Sequence, residues 1–197
     1  DESKDWADDD HIYQLAAMYK HGDLTCGLIY AMTQYGNLTS KGVAPGDANE
    51  SHNVMASASK NFGPVRAYFA YQHVWDSRVV GGASGQFTAK QLGATLASQS
   101  REGFDSDAVM LGANMPAFGG KIYGAAKVVH AKWNGLTTAG QDMSGTRWVV
   151  SAKYRYDLSK RSDVYCLTSY AKGTGMFEVT PSKATRFAAV AGVSHRF

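Results

Sequence analysis

A transmembrane antiparallel β-barrel is the fold class that three observations predict: the alternation of the last strand, the spacing of the links, and an unusual composition. In residues 185–197, Phe187, Ala189, Ala191, Val193, His195 and Phe197 share one face, because successive strand side chains point to opposite sides. Arg186, Ala188, Val190, Gly192, Ser194 and Arg196 share the other. The first face is apolar apart from His195 and is bracketed by aromatics; the second is small or cationic. Lipid-facing and lumen-facing residues alternate in this way in membrane barrels, with aromatic girdles at both interfaces. An amphipathic edge strand of a soluble sandwich also alternates, so this segment alone leaves that alternative open.

The links between segments carry the second observation. Nine alternating segments are expected at 11–20, 24–34, 52–60, 65–75, 107–115, 121–133, 146–157, 163–171 and 185–197. Most have the roughly 9–11 residues that a tilted strand needs to cross a bilayer. His21-Gly22-Asp23, Asn61-Phe62-Gly63-Pro64, Pro116-Ala-Phe-Gly-Gly120 and Leu158-Ser-Lys-Arg-Ser162 are short links. The polar, glycine-rich stretches 35–51, 76–106, 134–145 and 172–184 are long ones. Short and long alternate throughout, as in a meander with tight periplasmic turns at one rim and extracellular loops at the other. That asymmetry favours the barrel, since a soluble sandwich has no reason to keep its long loops at one end.

Composition agrees. The chain has 197 residues, with 21 Gly, 11 Tyr, 8 Phe and 4 Trp against 4 Pro, which points to all-β architecture. A mean hydropathy of −0.29 does not argue against a membrane barrel, because half of each spanning strand faces water. No run approaches the roughly 18 apolar residues of a transmembrane helix. Cys26 and Cys166 lie inside expected strands, where two small lipid-facing residues are favoured over a disulfide and no metal or redox spacing occurs.

The net charge of +3 hides an asymmetry. Residues 1–10 hold six acids and one base, leaving 11 acids against 19 bases in the remainder, a net of +8. A basic body often marks nucleic-acid binding, but here the bases must first be placed on a face. On 146–157, Arg147, Val149, Ser151, Lys153, Arg155 and Asp157 oppose Trp148, Val150, Ala152, Tyr154 and Tyr156. A Lys or Arg facing lipid at the midplane costs about 2–4 kcal/mol, so the charged face lines the lumen. The same argument turns Arg66, Tyr68 and Gln72 inward, with Ala67, Phe69, Tyr71 and His73 outward. Lys121, Tyr123, Lys127, Arg186, Arg196, Gln14 and Lys20 also turn inward. Asp107 and Asp157 are the acids expected among them. The pore-lining candidates are therefore Arg66, Lys121, Lys127, Arg147, Lys153, Arg155 and Arg186. Such a wall raises the local anion concentration, unless acids from infolded loops or from chain beyond these residues cancel it.

No catalytic residues are expected. The six histidines are scattered, with none at metal-ligand spacing to a Cys or Glu, and no Gly-x-Ser-x-Gly elbow occurs. Val80-Gly-Gly-Ala-Ser-Gly85 reads as loop rather than a phosphate-binding turn. Asp8-Asp9-Asp10 lacks the ligand order of a calcium loop and reads as a solvated acidic stretch. No cofactor, metal or nucleic acid is called for.

Four stretches resemble the C-terminal part of Gram-negative general porins of the neisserial or β-proteobacterial type. They are Met18-Tyr-Lys-His-Gly-Asp-Leu24, Ser59-Lys-Asn-Phe-Gly-Pro-Val65, Tyr154-Arg-Tyr-Asp-Leu-Ser-Lys-Arg-Ser-Asp-Val-Tyr165 and Gly192-Val-Ser-His-Arg-Phe197. The resemblance implies a barrel of about sixteen strands, within the size that leaves an aqueous channel. It implies a homotrimer in the outer membrane, in contact with lipid and lipopolysaccharide, that passes small hydrophilic solutes by diffusion; the expectation of anions rests on the basic wall. It also implies that Val193, His195 and Phe197 belong to the signal read by the outer-membrane insertion machinery. An odd strand count, and a start without Met or a signal stretch, predict that 1–197 is the C-terminal portion of one barrel domain, with 1–10 in an extracellular loop. The constriction loop is then expected in the other half. Two alternatives stand beside a channel: an outer-membrane adhesin or surface antigen that binds through its long loops, and a soluble β-protein holding a small apolar ligand.

Overall fold

The computed structural model describes residues 10–35, 50–77, 80–82, 85–87, 103–135, 143–178 and 186–196. Asp8 and Asp9 of the acidic stretch, most of the link 76–106, and Phe197 lie outside them. Strands β1 (His11–His21), β2 (Leu24–Gln34), β3 (Ser51–Phe62) and β4 (Val65–Ser77) come first. Two three-residue strands follow, β5 (Val80–Gly82) and β6 (Gly85–Phe87). Then come β7 (Phe104–Ala117), β8 (Gly120–Trp133), β9 (Ser144–Asp157), β10 (Ser162–Gly173), a 3₁₀ turn (Gly175–Glu178) and β11 (Arg186–His195).

All nine expected strands are present and form one antiparallel sheet in chain order, with β5 and β6 as a separate hairpin. That hairpin corrects the reading of 80–85 as loop. Strands also run further toward the long links than expected: β7 begins at Phe104 and β10 continues to Gly173. Ladder hydrogen bonds reward each added pair, and alternation persists into the links, where polar side chains had masked it.

The tight turns follow from residue type. Gly22 (φ 52), Gly63 (φ 67) and Gly119 (φ 74) take the left-handed conformation that turns require. Phe118 joins Gly119 with φ 52, so both central residues of that two-residue hairpin are positive, as a type I′ turn demands. At 158–161 the Ser159 hydroxyl accepts hydrogen bonds from the N–H groups of Arg161 (3.1 Å) and Ser162 (3.0 Å), replacing the missing ladder.

The two faces differ as alternation predicts. Along β8, Val129, Ala131 and Trp133 are 5%, 0% and 2% exposed, whereas Val128 beside them is 47% exposed. The outer face carries an unbroken apolar row: Cys26, Ala58, Phe69, Leu111, Ala126, Val150, Tyr170 and Phe187 stand opposite one another across β2 to β11. Water does not tolerate a contiguous apolar surface of this extent, but lipid does. From Trp148 to Tyr156 the outward residues of β9 span the nine positions a tilted strand needs.

A charged and aromatic inner wall

Register decides which inward side chains meet. Nearest the short turns, Lys121 pairs with Arg155 and Arg155 with Tyr165. The next inward row is Arg66, Asn114, Tyr123, Lys153 and Leu167. Beyond it runs Tyr68, Gly112, Ala125, Ser151 and Ser169, and then Ala70, Met110, Lys127, Val149, Ala171 and Arg186. Of the seven pore-lining candidates, Arg66, Lys121, Lys153 and Arg155 are thus brought together, with Lys127 two rows above Lys153 and Arg186 at the edge strand.

Tyrosines separate these bases. The Arg66 guanidinium lies 5.3 Å from the Tyr68 ring centre and donates to Ser59 Oγ at 3.1 Å. Lys121 Nζ lies 5.4 Å from the Tyr123 ring, and Lys153 Nζ lies 5.8 Å from Tyr123 and 5.0 Å from Tyr165. Ring faces attract cations, so the two directly opposed bases, Lys121 and Arg155, are tolerated despite like-charge repulsion. Arg155 is further neutralised by Asp157 (2.8 Å) and Asp163 (3.2 Å). Asn114 donates to the Tyr68 hydroxyl at 2.6 Å and fixes that ring.

Two candidates behave differently from expectation. Arg147 is on the inner face but is only 1% exposed, and its Nε and Nη1 have no hydrogen-bond partner. Asp107, expected inward, faces outward: it accepts from Tyr71 Oη (2.7 Å) and lies 2.7 Å from His73 Nδ1. Strand parity required this, since Val109, Leu111 and Ala113 are outward too. Near the bilayer interface a charge on the lipid side costs only about 0–1 kcal/mol, so the rule that charges turn inward lapses at a strand end. His195, on the outer face as expected, bonds the Ser162 hydroxyl (2.9 Å). Val193 is beside it on that face, 71% exposed. Both cysteines are free thiols, on outer-face rows.

The long-link end of the inner face is packed rather than open. Phe104, Ala131, Trp133, Met176 and Phe177 form the hydrophobic cluster, with Phe104 and Trp133 ring centres 5.0 Å apart. The 3₁₀ turn lies directly on β9, where a Cβ on Gly145 would strike Thr174 O and one on Gly175 would strike Ser144 O. Glycine is what lets this segment fold inward. Thr174 N–H donates to Thr146 O at 2.8 Å and ties it down. At the same rim Asn134 Nδ2 donates to both Asp76 Oδ1 and Asp105 Oδ1, each at 2.8 Å, joining the ends of β4, β7 and β8. Met176 and Phe177 were not expected to matter, because their only signal in the sequence is an aromatic in a polar link.

An open antiparallel sheet with a lipid-compatible outer face and a polar, basic inner one defines an outer-membrane β-barrel protein, seen here in part. The Gram-negative porin profile matches residues 1–175, and the chain belongs to that family, whose place is the outer membrane. An outer membrane porin protein of Bordetella pertussis is 34% identical over 97 residues, which are 49% of this chain and 22% of that protein. Among solved structures, OmpT of Vibrio cholerae, an outer membrane protein folded in vitro, superposes with a TM-score of 0.56 at 14% identity. The match covers 95% of this chain and 56% of that one. The same protein expressed in the outer membrane gives 0.55 at 15% identity, covering 97% and 57%. At such identity the likeness concerns fold alone, and the chain spans little more than half of these structures.

Proposed function

We propose that the whole protein is a water-filled outer-membrane channel for passive diffusion of small hydrophilic solutes, with a preference for anions. Family membership and the two-faced wall support the channel. The preference rests on one observation: among the described residues no carboxylate lies within ion-pair distance of Arg66, Lys121 or Lys153, while Arg155 engages Asp157 and Asp163. Unpaired bases on a wall with low-dielectric surroundings hold a positive potential that concentrates anions. Diffusion of this kind involves no chemical step and no cofactor.

On this proposal the short turns face the periplasm, and residues 1–10 and the long links face outward. Residues 1–197 form the C-terminal part of one barrel domain, of which three copies associate. Lipid and lipopolysaccharide meet the apolar outer face, and Val193, His195 and Phe197 carry the signal for the insertion machinery. A planar bilayer holding the full-length protein in a KCl gradient tests the selectivity. The reversal potential is expected to have the sign of anion preference, and Lys153→Glu to move it toward cations. Cation preference in the unaltered protein, or no movement in the variant, overturns the wall assignment. Absence of any conductance favours a surface antigen acting through its long links.

A further inference from the structure

The inner wall is not evenly lined. Between the row that contains Lys153 and the row that contains Lys127 lie Gly112 and Ala125, directly opposite one another on β7 and β8. Their small side chains leave a recess of about 300 Å³, at the lower end of the size range of small-molecule sites. Its lining is overwhelmingly apolar, which is unusual on a face whose neighbours are Arg66, Lys121 and Lys153. Tyr68 bounds it on one side, held by Asn114, and Tyr123 bounds it toward the short turns. Met110 and Leu167 complete the apolar border. Rows are about 7 Å apart, two residues of strand rise, so the space between them accepts one planar ring against tyrosine faces.

One cation stands at the border. Lys153 lines the recess, and its Nζ is held between the rings of Tyr123 and Tyr165 with no carboxylate in reach among the described residues. We propose that this recess is a binding subsite for small aromatic carboxylates, the ring lying over Gly112 and Ala125 and the carboxylate meeting Lys153. The proposal rests on the anion-preferring reading and adds to it a solute class that the wall retains rather than merely admits. Ring packing contributes about 0.5–1.5 kcal/mol beyond area burial, which corresponds to as much as about tenfold in occupancy.

The test is the current through the full-length protein in planar bilayers with benzoate, cyclohexanecarboxylate or acetate added. Benzoate is expected to block at about tenfold lower concentration than acetate, with cyclohexanecarboxylate between them. Ala125→Leu fills the floor and is expected to bring benzoate down to the acetate level while the KCl reversal potential stays unchanged. Lys153→Met is expected to weaken benzoate block and to shift the reversal potential, whereas Lys121→Gln shifts the potential and leaves the benzoate-to-acetate ratio intact. Equal block by benzoate and acetate overturns the subsite without touching the anion preference. Benzoate block that survives Ala125→Leu, with the variant folded by heat-modifiable gel mobility, overturns its location. A cation-selective potential with benzoate block that Lys153→Met still weakens overturns the anion reading and supports the subsite, whereas benzoate block untouched by Lys153→Met overturns the subsite.

Discussion

At the long-link end, the inner face of β7 to β9 is dry: Phe104, Ala131 and Trp133 are covered by Met176 and Phe177, and Arg147 is buried with them. At the short-turn end the same three strands present Asn114, Lys121, Tyr123, Lys153 and Arg155, and Tyr123 and Lys153 border an open recess. The strands, the parity and the side of the sheet are the same in both regions. What differs is whether a returning segment lies on top. Alternation therefore assigns a residue to a side of the wall, and only the path of the links decides whether that side is wet.

The largest effect is expected where the dry region is broken. Trp133→Ala removes a ring that fills the cluster and should cost about 3–5 kcal/mol, read by urea unfolding in lipid vesicles, while the reversal potential in a salt gradient stays put. A changed selectivity would mean that the two regions are not separable. In the wet region the largest change is Lys153→Glu, which reverses one charge and should move the reversal potential toward cations with little loss of stability. Arg155→Gln should move it in the same direction through a different route, by releasing Asp157 and Asp163 from their shared partner. If Lys121→Gln moved the potential further than Arg155→Gln, those two acids would not be exerting their charge on the channel. The smallest effect is expected from Trp133→Phe. Its loss of ring volume is offset by removal of an indole N–H that has no partner, so the cost should be about 1 kcal/mol or less.

Much of this is legible in the sequence, and the failures have two causes. The turns at Gly22, Gly63 and Phe118-Gly119 announce themselves because few residues accept a positive φ. The inward placement of Arg66, Lys121, Lys127, Lys153 and Arg155 follows from parity and from the cost of a charge in hydrocarbon. Asp107 was misplaced because that cost was applied at a strand end, where it nearly vanishes. Arg147 sits on the expected side but in the wrong medium: parity gives its face, while its burial at 1% exposed arises only in the folded wall. The recess could not be read at all: Gly112, Ala125 and Lys153 are ordinary one by one and matter only as neighbours.

Period-two alternation and turn chemistry are local properties, so the chain alone determines the strands, their two faces and the basic character of the inner one. Register between strands, the hairpin of β5 and β6, the inward fold of the 3₁₀ turn and the opposition of Gly112 to Ala125 are not local. They are settled by ladder hydrogen bonds and packing between residues far apart in sequence, which is why the apolar recess and the buried cluster exist only in the folded wall.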